Sequence, residues 1–388
     1  MTSGELSEHV DADRHRSKGS AKWVKYPEGI LPAWVAEHDF RPPESVVRAF
    51  TEVAEEAAFG YHFRADALGA AYAPWAKDRH RWDVDPELVN HHVDVLQGVT
   101  AAVMALSEPG DGLILPTPLY FPFWDLPPTT GRTKIEWRMK RDEHGWHFDI
   151  NELERLLRSE PRARVLLFCH PHNPTGRVAD SDTLAALLDL AAAYDIQIVS
   201  DEIHGDLVYP PADFRPLLSL PASADRVVTV TSAAKTFSLS GIRCAISLYG
   251  SEALMRRVRD AHPPLLLGRP ARGGIETTIE AWRSGGPWVD ELVRVLERNR
   301  DHLVDRLTTE APCVRIHPPE STFLAWIDVG ECGLGPHPAD TLREQAAVAV
   351  SEGHDFGPGG EGHIRINFGT SQEILDELLD RMIPHLKG

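Results

Sequence analysis

The chain has 388 residues and a formal charge of -18, with 42% hydrophobic and 25% charged residues. That balance is ordinary for a folded globular protein of roughly two to three domains, and the negative charge makes nucleic acid and anionic membrane surfaces poor partners. Cys169, Cys244, Cys313 and Cys332 are scattered without CxxC spacing, which points to a reduced, cytoplasmic protein rather than a disulfide framework.

Residues 1–22 are polar and mixed in charge, lack the apolar core of a signal peptide, and read as a flexible arm. No apolar run approaches the ~18 residues of a membrane helix. Gly98, Val99 and Thr100 precede the helical stretch AAVMALS and offer a helix N-terminus to an anion. Residues 112–115 form a short strand before the turn PTPLYFP, which carries Tyr120. The apolar run 165–169 stops at HPHNPTG, a turn cluster. Residues 184–194 read as a helix with Ser181 or Asp182 as N-cap. Strands follow at 196–200, ending at Asp201, at 226–231, ending at Ser-Ala-Ala-Lys, and at 243–248. Beyond about residue 265 the pattern changes to a long helix over 288–308, strands at 323–329 and 364–367, and a terminal helix holding Met382 and Leu386. Short apolar runs alternating with helices predict a mostly parallel sheet covered by helices. The division expected is a large domain over 46–265 and a smaller α+β domain over 266–388, with the N-terminal segment 23–45 joining the small domain.

In open α/β sheets ligands bind beyond the carboxyl ends of the strands. Tyr120, Asn173, Asp201 and Ser232 with Lys235 all fall there. A buried lysine near other cations loses its proton readily and can attack an aldehyde. Ser232 and Arg243 around one point suit a phosphate. Asp201, at the end of an apolar strand, is costly unless paired and suits a protonated ring nitrogen. Asn173 can reach a phenolate oxygen, Tyr120 can stack on a ring, and His204 stands beside Asp201. Arg365, on an apolar strand, suits a carboxylate. Singly, each has an ordinary reading: a solvated lysine, a helix cap, a turn, a structural ion pair. His170 with His172, and His91 with His92, have no third ligand at a workable spacing, so no metal is expected. No GxSxG elbow accompanies the Ser, His and Asp residues.

The ordered set GVT, PTPLYFPF, NPTGRV, SDEIHGDLVY, TSAAKTFSLSGIR and RINFG resembles the fold type I pyridoxal-phosphate (PLP) enzymes, the class I/II aminotransferase superfamily, over nearly the whole chain. LPAWVAEHDF, GYHF at 60–63, AAKTFSLSG and STFLAWIDV resemble the cystathionine β-lyase-like branch. The resemblance implies an aspartate aminotransferase-like α/β fold, with a seven-stranded-type sheet in the large PLP-binding domain and a smaller α+β C-terminal domain. It implies that Lys235 holds PLP as a Schiff base and moves the Cα proton. Asp201 would pair with the pyridine nitrogen, Asn173 with the ring hydroxyl, and Tyr120 would stack. Val99 and Thr100 amides with Ser232 and Arg243 would bind phosphate, and Arg365 the substrate carboxylate. Tyr61 would reach in from the partner of a homodimer with shared active sites. Four positions depart from the branch pattern: His38 after Glu37, His170 before Pro171, Ser238, and Arg243, an arginine more typical of aminotransferases. The activity implied is β-elimination on a cysteine thioether. Transamination, decarboxylation-coupled deamination of an S-substituted cysteine, and a non-catalytic regulator are the alternatives.

Overall fold

The computed structural model describes residues 6–61, 64–263 and 267–387. The expected domain boundary at 265/266, the His-Phe pair of GYHF at 62–63 and positions 1–5 of the arm lie outside the described residues.

Among the described residues seven strands make the central sheet: β1 (Val89–His92), β2 (Gly112–Thr117), β3 (Thr133–Arg138), β4 (Ala163–Cys169), β5 (Gln197–Asp201), β6 (Val227–Thr231) and β7 (Ala245–Tyr249), in the spatial order β1-β7-β6-β5-β4-β2-β3. β2 to β6 are parallel, and β7 runs antiparallel to both β6 and β1. Every residue of β2, β6 and β7 is buried, as strands covered on both faces require. Helices α1 (Glu44–Glu55) and α2 (Ala67–His80) pack on α4 (Arg272–Ser284), whereas α3 (Val95–Leu106) lies across β1, β7, β6 and β5. The long helix α5 (Gly286–Glu310) leads to an antiparallel sheet of β8 (Arg315–Ile316), β9 (Leu324–Asp328), β10 (Ser351–Glu352) and β11 (His363–Asn367), ordered β8-β9-β11-β10. Leu31–Pro32 pairs in parallel with Val348–Ala349, so the segment after the arm lies on the small-domain side.

Residues 6–22 are not a free arm. Leu6 and Val10 are buried, Glu8 pairs with Arg298, and Ala12–Ser17 is a helix capped by Asp11. The few apolar residues of this polar stretch suffice because the body supplies their partners. The helix Ser181–Ala193 is capped by Asp180, one residue before the expected cap, through Thr183 N. Cys313 and Cys332 are joined by a disulfide, with Cα atoms 5.2 Å apart. This corrects the reduced set expected: residues distant in sequence meet in the fold at a separation a bridge can span. Cys169 and Cys244 are free and buried.

Candidate active site

Strand order reverses between β2 and β4, and the crevice of such a switch point lies beyond their carboxyl ends. A cavity of about 220 Å³ opens there, lined among others by Tyr120, Asn173, Asp201, His204, Ser232, Lys235 and Arg243. These expected residues come together because each follows a strand of the same parallel set.

Lys235 Nζ donates to Ala36 O at 2.6 Å. Its pKa falls from 10.5 to about 8, chiefly through burial; Glu37 and Asp201 pull it up and Arg365 pulls it down. At pH 7 about a tenth of such an amine is neutral, against about one in three thousand for an ordinary lysine. The neutral amine is the nucleophile. The rate at which apoprotein takes up an aldehyde at Lys235 is therefore expected to rise about tenfold per pH unit below pH 8 and to level off above it. Stopped-flow absorbance measures this, and a rate still climbing tenfold per unit at pH 10 would place the amine near its ordinary value.

Asp201 is buried, and burial lifts its carboxyl to about 6. Its Oδ1 accepts from Ile203 N at 3.1 Å, and among the described residues no cationic side chain pairs with it. His204 is buried and held neutral by burial, its pKa about 3, and its Nδ1 has no partner among the described residues. Asn173 Oδ1 accepts from Arg365 Nη1 at 2.9 Å, which leaves the amide NH₂ for the cavity. Tyr120 lies on the wall, its phenol pKa raised by burial. Arg365 stands behind Asn173 rather than on the wall. Its Nη2 donates to Trp34 O at 2.9 Å and Ser351 Oγ at 3.2 Å, its Nε has no partner among the described residues, and burial lowers its pKa to about 10.

The other end of the cavity corrects the sequence reading. Gly98, Val99 and Thr100 lie inside α3, which begins at Val95, and do not line the cavity. Asp94 is the N-cap, accepting from Gln97 N at 2.8 Å, while Gln97 Oε1 accepts from Val93 N at 2.9 Å. This is close to a capping box, and it starts the helix a turn before Gly-Val-Thr. Gly98 N donates to Asp94 O and Thr100 Oγ1 to Leu96 O, so both are spent within the helix. Gly98 is small because a Cβ there would meet Val230 Cγ1 at 2.9 Å. Amides with no intrahelical partner belong to the first turn, where Val95 and Leu96 line the cavity. Ser232 Oγ donates to Cys244 O at 2.6 Å and accepts from Ala234 N at 3.1 Å. Arg243, at a left-handed φ of 60°, reaches Asp94 Oδ2 at 2.7 Å.

Sequence reasoning passed over the strip 34–39, which stitches the two domains through its main chain. Trp34 O holds Arg365, Ala36 O holds Lys235, and His38 O accepts from Ser238 Oγ at 2.9 Å. Asn367 Nδ2 donates to Val35 O and Glu37 O, each at 2.7 Å. Backbone carbonyls carry no side-chain signature; Asp94 and Gln97 did carry one. Tyr61 does not join the cavity of its own chain: it is fully exposed beside the exposed Phe59.

The family model for aminotransferase class I and II matches residues 35–382, from the stitching strip to the terminal helix. The chain belongs to the class I and II aminotransferase family. Cystathionine beta-lyase PatB of Bacillus subtilis (strain 168) is 33% identical over 375 residues, covering 94% of this chain and 95% of its own. Cystathionine beta-lyase of Corynebacterium glutamicum is 32% identical over 367 residues, covering 95% and 96%. Cystalysin from Treponema denticola, whose crystal structure contains a pyridoxal 5'-phosphate cofactor, is similar in structure at TM-score 0.91 and 27% identity, covering 100% of this chain and 99% of its own. The cofactor of this family member is PLP. The cavity suits it on its own chemistry: a buried carboxylate without a cation, a lysine biased toward its neutral form, a free carboxamide NH₂ and a helix N-terminus beside a guanidinium.

Proposed function

We propose that this protein is a PLP-dependent carbon–sulfur β-lyase, which cleaves a cysteine thioether such as cystathionine or an S-substituted cysteine to a thiol, pyruvate and ammonia. What supports the reading is that Lys235 interacts electrostatically with Asp201 and Arg365, a buried carboxylate and a buried guanidinium without an ion-pair partner among the described residues, in a chain a third identical to a cystathionine beta-lyase. PLP supplies, when bound, the electron sink for the pair left at Cα. Lys235 Nζ would hold the cofactor until the substrate amine displaces it, and the freed amine would then take the Cα proton as the sulfur leaves Cβ. Asp201 keeps the proton on the ring nitrogen, and Asn173 Nδ2 donates to the ring oxygen while Tyr120 covers the ring. His204, neutral and on the cavity wall, would lie beside the ring. Arg243, Ser232 and the α3 amides of Val95 and Leu96 hold the phosphate, in place of the Val99 and Thr100 amides expected from the sequence. Arg365 would take the substrate carboxylate through its guanidinium.

The test is direct. Holoenzyme given cystathionine or S-alkyl cysteines is expected to release thiol and pyruvate in equal amounts without added 2-oxo acid. Turnover that requires a 2-oxo acid and yields no thiol overturns the lyase reading in favour of transamination, which the arginine at 243 favours. Arg365→Lys keeps the charge and loses the fork. Charge-assisted hydrogen bonds are worth ~1.5–3 kcal/mol, so KM should rise roughly 10- to 100-fold with the fold intact. An unchanged KM refutes the clamp.

The same proposal includes a homodimer with shared active sites. Tyr61, Phe59 and Phe50 are exposed at 108%, 75% and 46% beside α1 and α4, an apolar patch of the kind that marks an interface. Tyr61 would then serve the partner's cavity. Light scattering is expected to give twice the chain mass, and Phe59→Asp a monomer. A monomeric parent protein would sink this part. No helix among the described residues is long and apolar enough to cross a membrane; a cytoplasmic location, with Cys169 and Cys244 as free thiols, belongs to this proposal too.

A further inference from the structure

Outside the cavity, two imidazoles and a carboxylate converge on the small domain. We propose that His337, Glu352 and His354 form a binding site for a divalent transition-metal ion of the zinc class. Each offers one ligand atom, and the three atoms lie within 4.8 Å of one another. Zinc bonds to nitrogen and oxygen of ~2.0–2.2 Å in a tetrahedron require ligand atoms ~3.4 Å apart, so closure about an ion asks for side-chain shifts on the order of 1 Å.

The carboxylate is already fixed. Glu352 ends β10, and its Oε2 accepts from Ala339 N at 3.0 Å while Oε1 accepts from Gly353 N at 3.2 Å. Capping that turn needs only the carboxylate, yet two histidines from separate segments face it. The rings of His337 and His354 lie 5.3 Å apart at 75°. His354 Nδ1 is 3.8 Å from Glu352 Oε1, beyond a hydrogen bond, and its Nε2 is 3.3 Å from Asp355 Oδ1. Two histidines and one carboxylate are a zinc-type donor set with a fourth position left to water.

The site also bears on the cavity. Ser351, the neighbour of Glu352 in β10, pairs with Arg365 in the sheet and accepts from its Nη2 at 3.2 Å. An ion that stiffens the turn after Glu352 therefore stiffens the strand bracing the guanidinium.

The experiment uses chelator-dialysed holoenzyme titrated with zinc ion in a calorimeter, with the melting temperature read in parallel. One saturable site per chain with a micromolar or tighter dissociation constant is expected, together with a rise in Tm. The double variant His337→Ala/His354→Ala, at two exposed positions, should weaken binding at least tenfold while its metal-free melt stays unchanged. Glu352→Gln, which keeps an oxygen for the backbone amides, should weaken binding as well. No saturable binding by the parent protein, or equal binding by the double variant, overturns the proposal. Should the double variant unfold, the Glu352→Gln titration decides alone: undiminished affinity there overturns it.

Discussion

Lys235→Ala is expected to abolish turnover, lowering kcat at least about 1,000-fold, since a positioned proton-transfer group alone contributes roughly 10²–10⁴ and, on the proposed function, the same amine holds the cofactor. The expected spectrum lacks the visible band of lysine-bound PLP, and the cofactor should leave on dialysis. The loss is local for a structural reason. Among the described residues Lys235 Nζ has a single hydrogen-bond partner, Ala36 O, and that carbonyl belongs to a strip also held by Asn367 through Val35 O and Glu37 O. The thermal melt of the apoprotein should therefore stay near that of the parent apoprotein. Added primary amines should restore a measurable part of the proton transfer. A variant that keeps both band and turnover would remove Lys235 from the chemistry.

What could be read from residues alone divides along a physical line. Asp201, Asn173, Tyr120 and Lys235 were legible because each follows a short apolar strand, and strand ends in a parallel sheet converge on one edge. The two-domain α/β plan was legible from the same alternation. The phosphate end misled because Gly98-Val99-Thr100 looks like a helix start, while the signal that starts the helix, Asp94 with Gln97 three residues on, was passed over. Gly98 is needed for contact with Val230, a tertiary demand that local sequence does not report. The N-terminal stretch misled for a related reason: its polarity resembles that of a tail, and what docks it are pairings that no local window contains. Lys22 with Asp39 and Glu8 with Arg298 are such pairs. The disulfide of Cys313 and Cys332 is another contact made by the fold rather than by spacing.

Asp39→Ala carries the largest expected cost in stability. Asp39 Oδ2 accepts from Lys22 Nζ at 2.7 Å and Oδ1 from Trp23 Nε1 at 2.8 Å, and the side chains of Lys22 and Asp39 are 1% and 2% exposed. Removing one partner of a buried ion pair strands the other charge in the interior and costs ~3–5 kcal/mol. Urea unfolding of the apoprotein should show a loss of that size, and a change under about 1 kcal/mol would mean that Lys22 finds water. Replacing both charges, as in Lys22→Met with Asp39→Leu, should recover part of the loss, because apolar side chains of similar volume often substitute for a buried pair without penalty. The effect should also reach the cavity. Lys22 O accepts from Trp34 Nε1 at 3.1 Å, and Trp34 O in turn holds Arg365. A loosened Lys22 thus frees the residue that orients the guanidinium, so KM for the amino acid should rise in Asp39→Ala even where the protein is fully folded. The N-terminal stretch that reads as a tail would then be a positioning element, acting on the substrate end of the site through one buried ion pair.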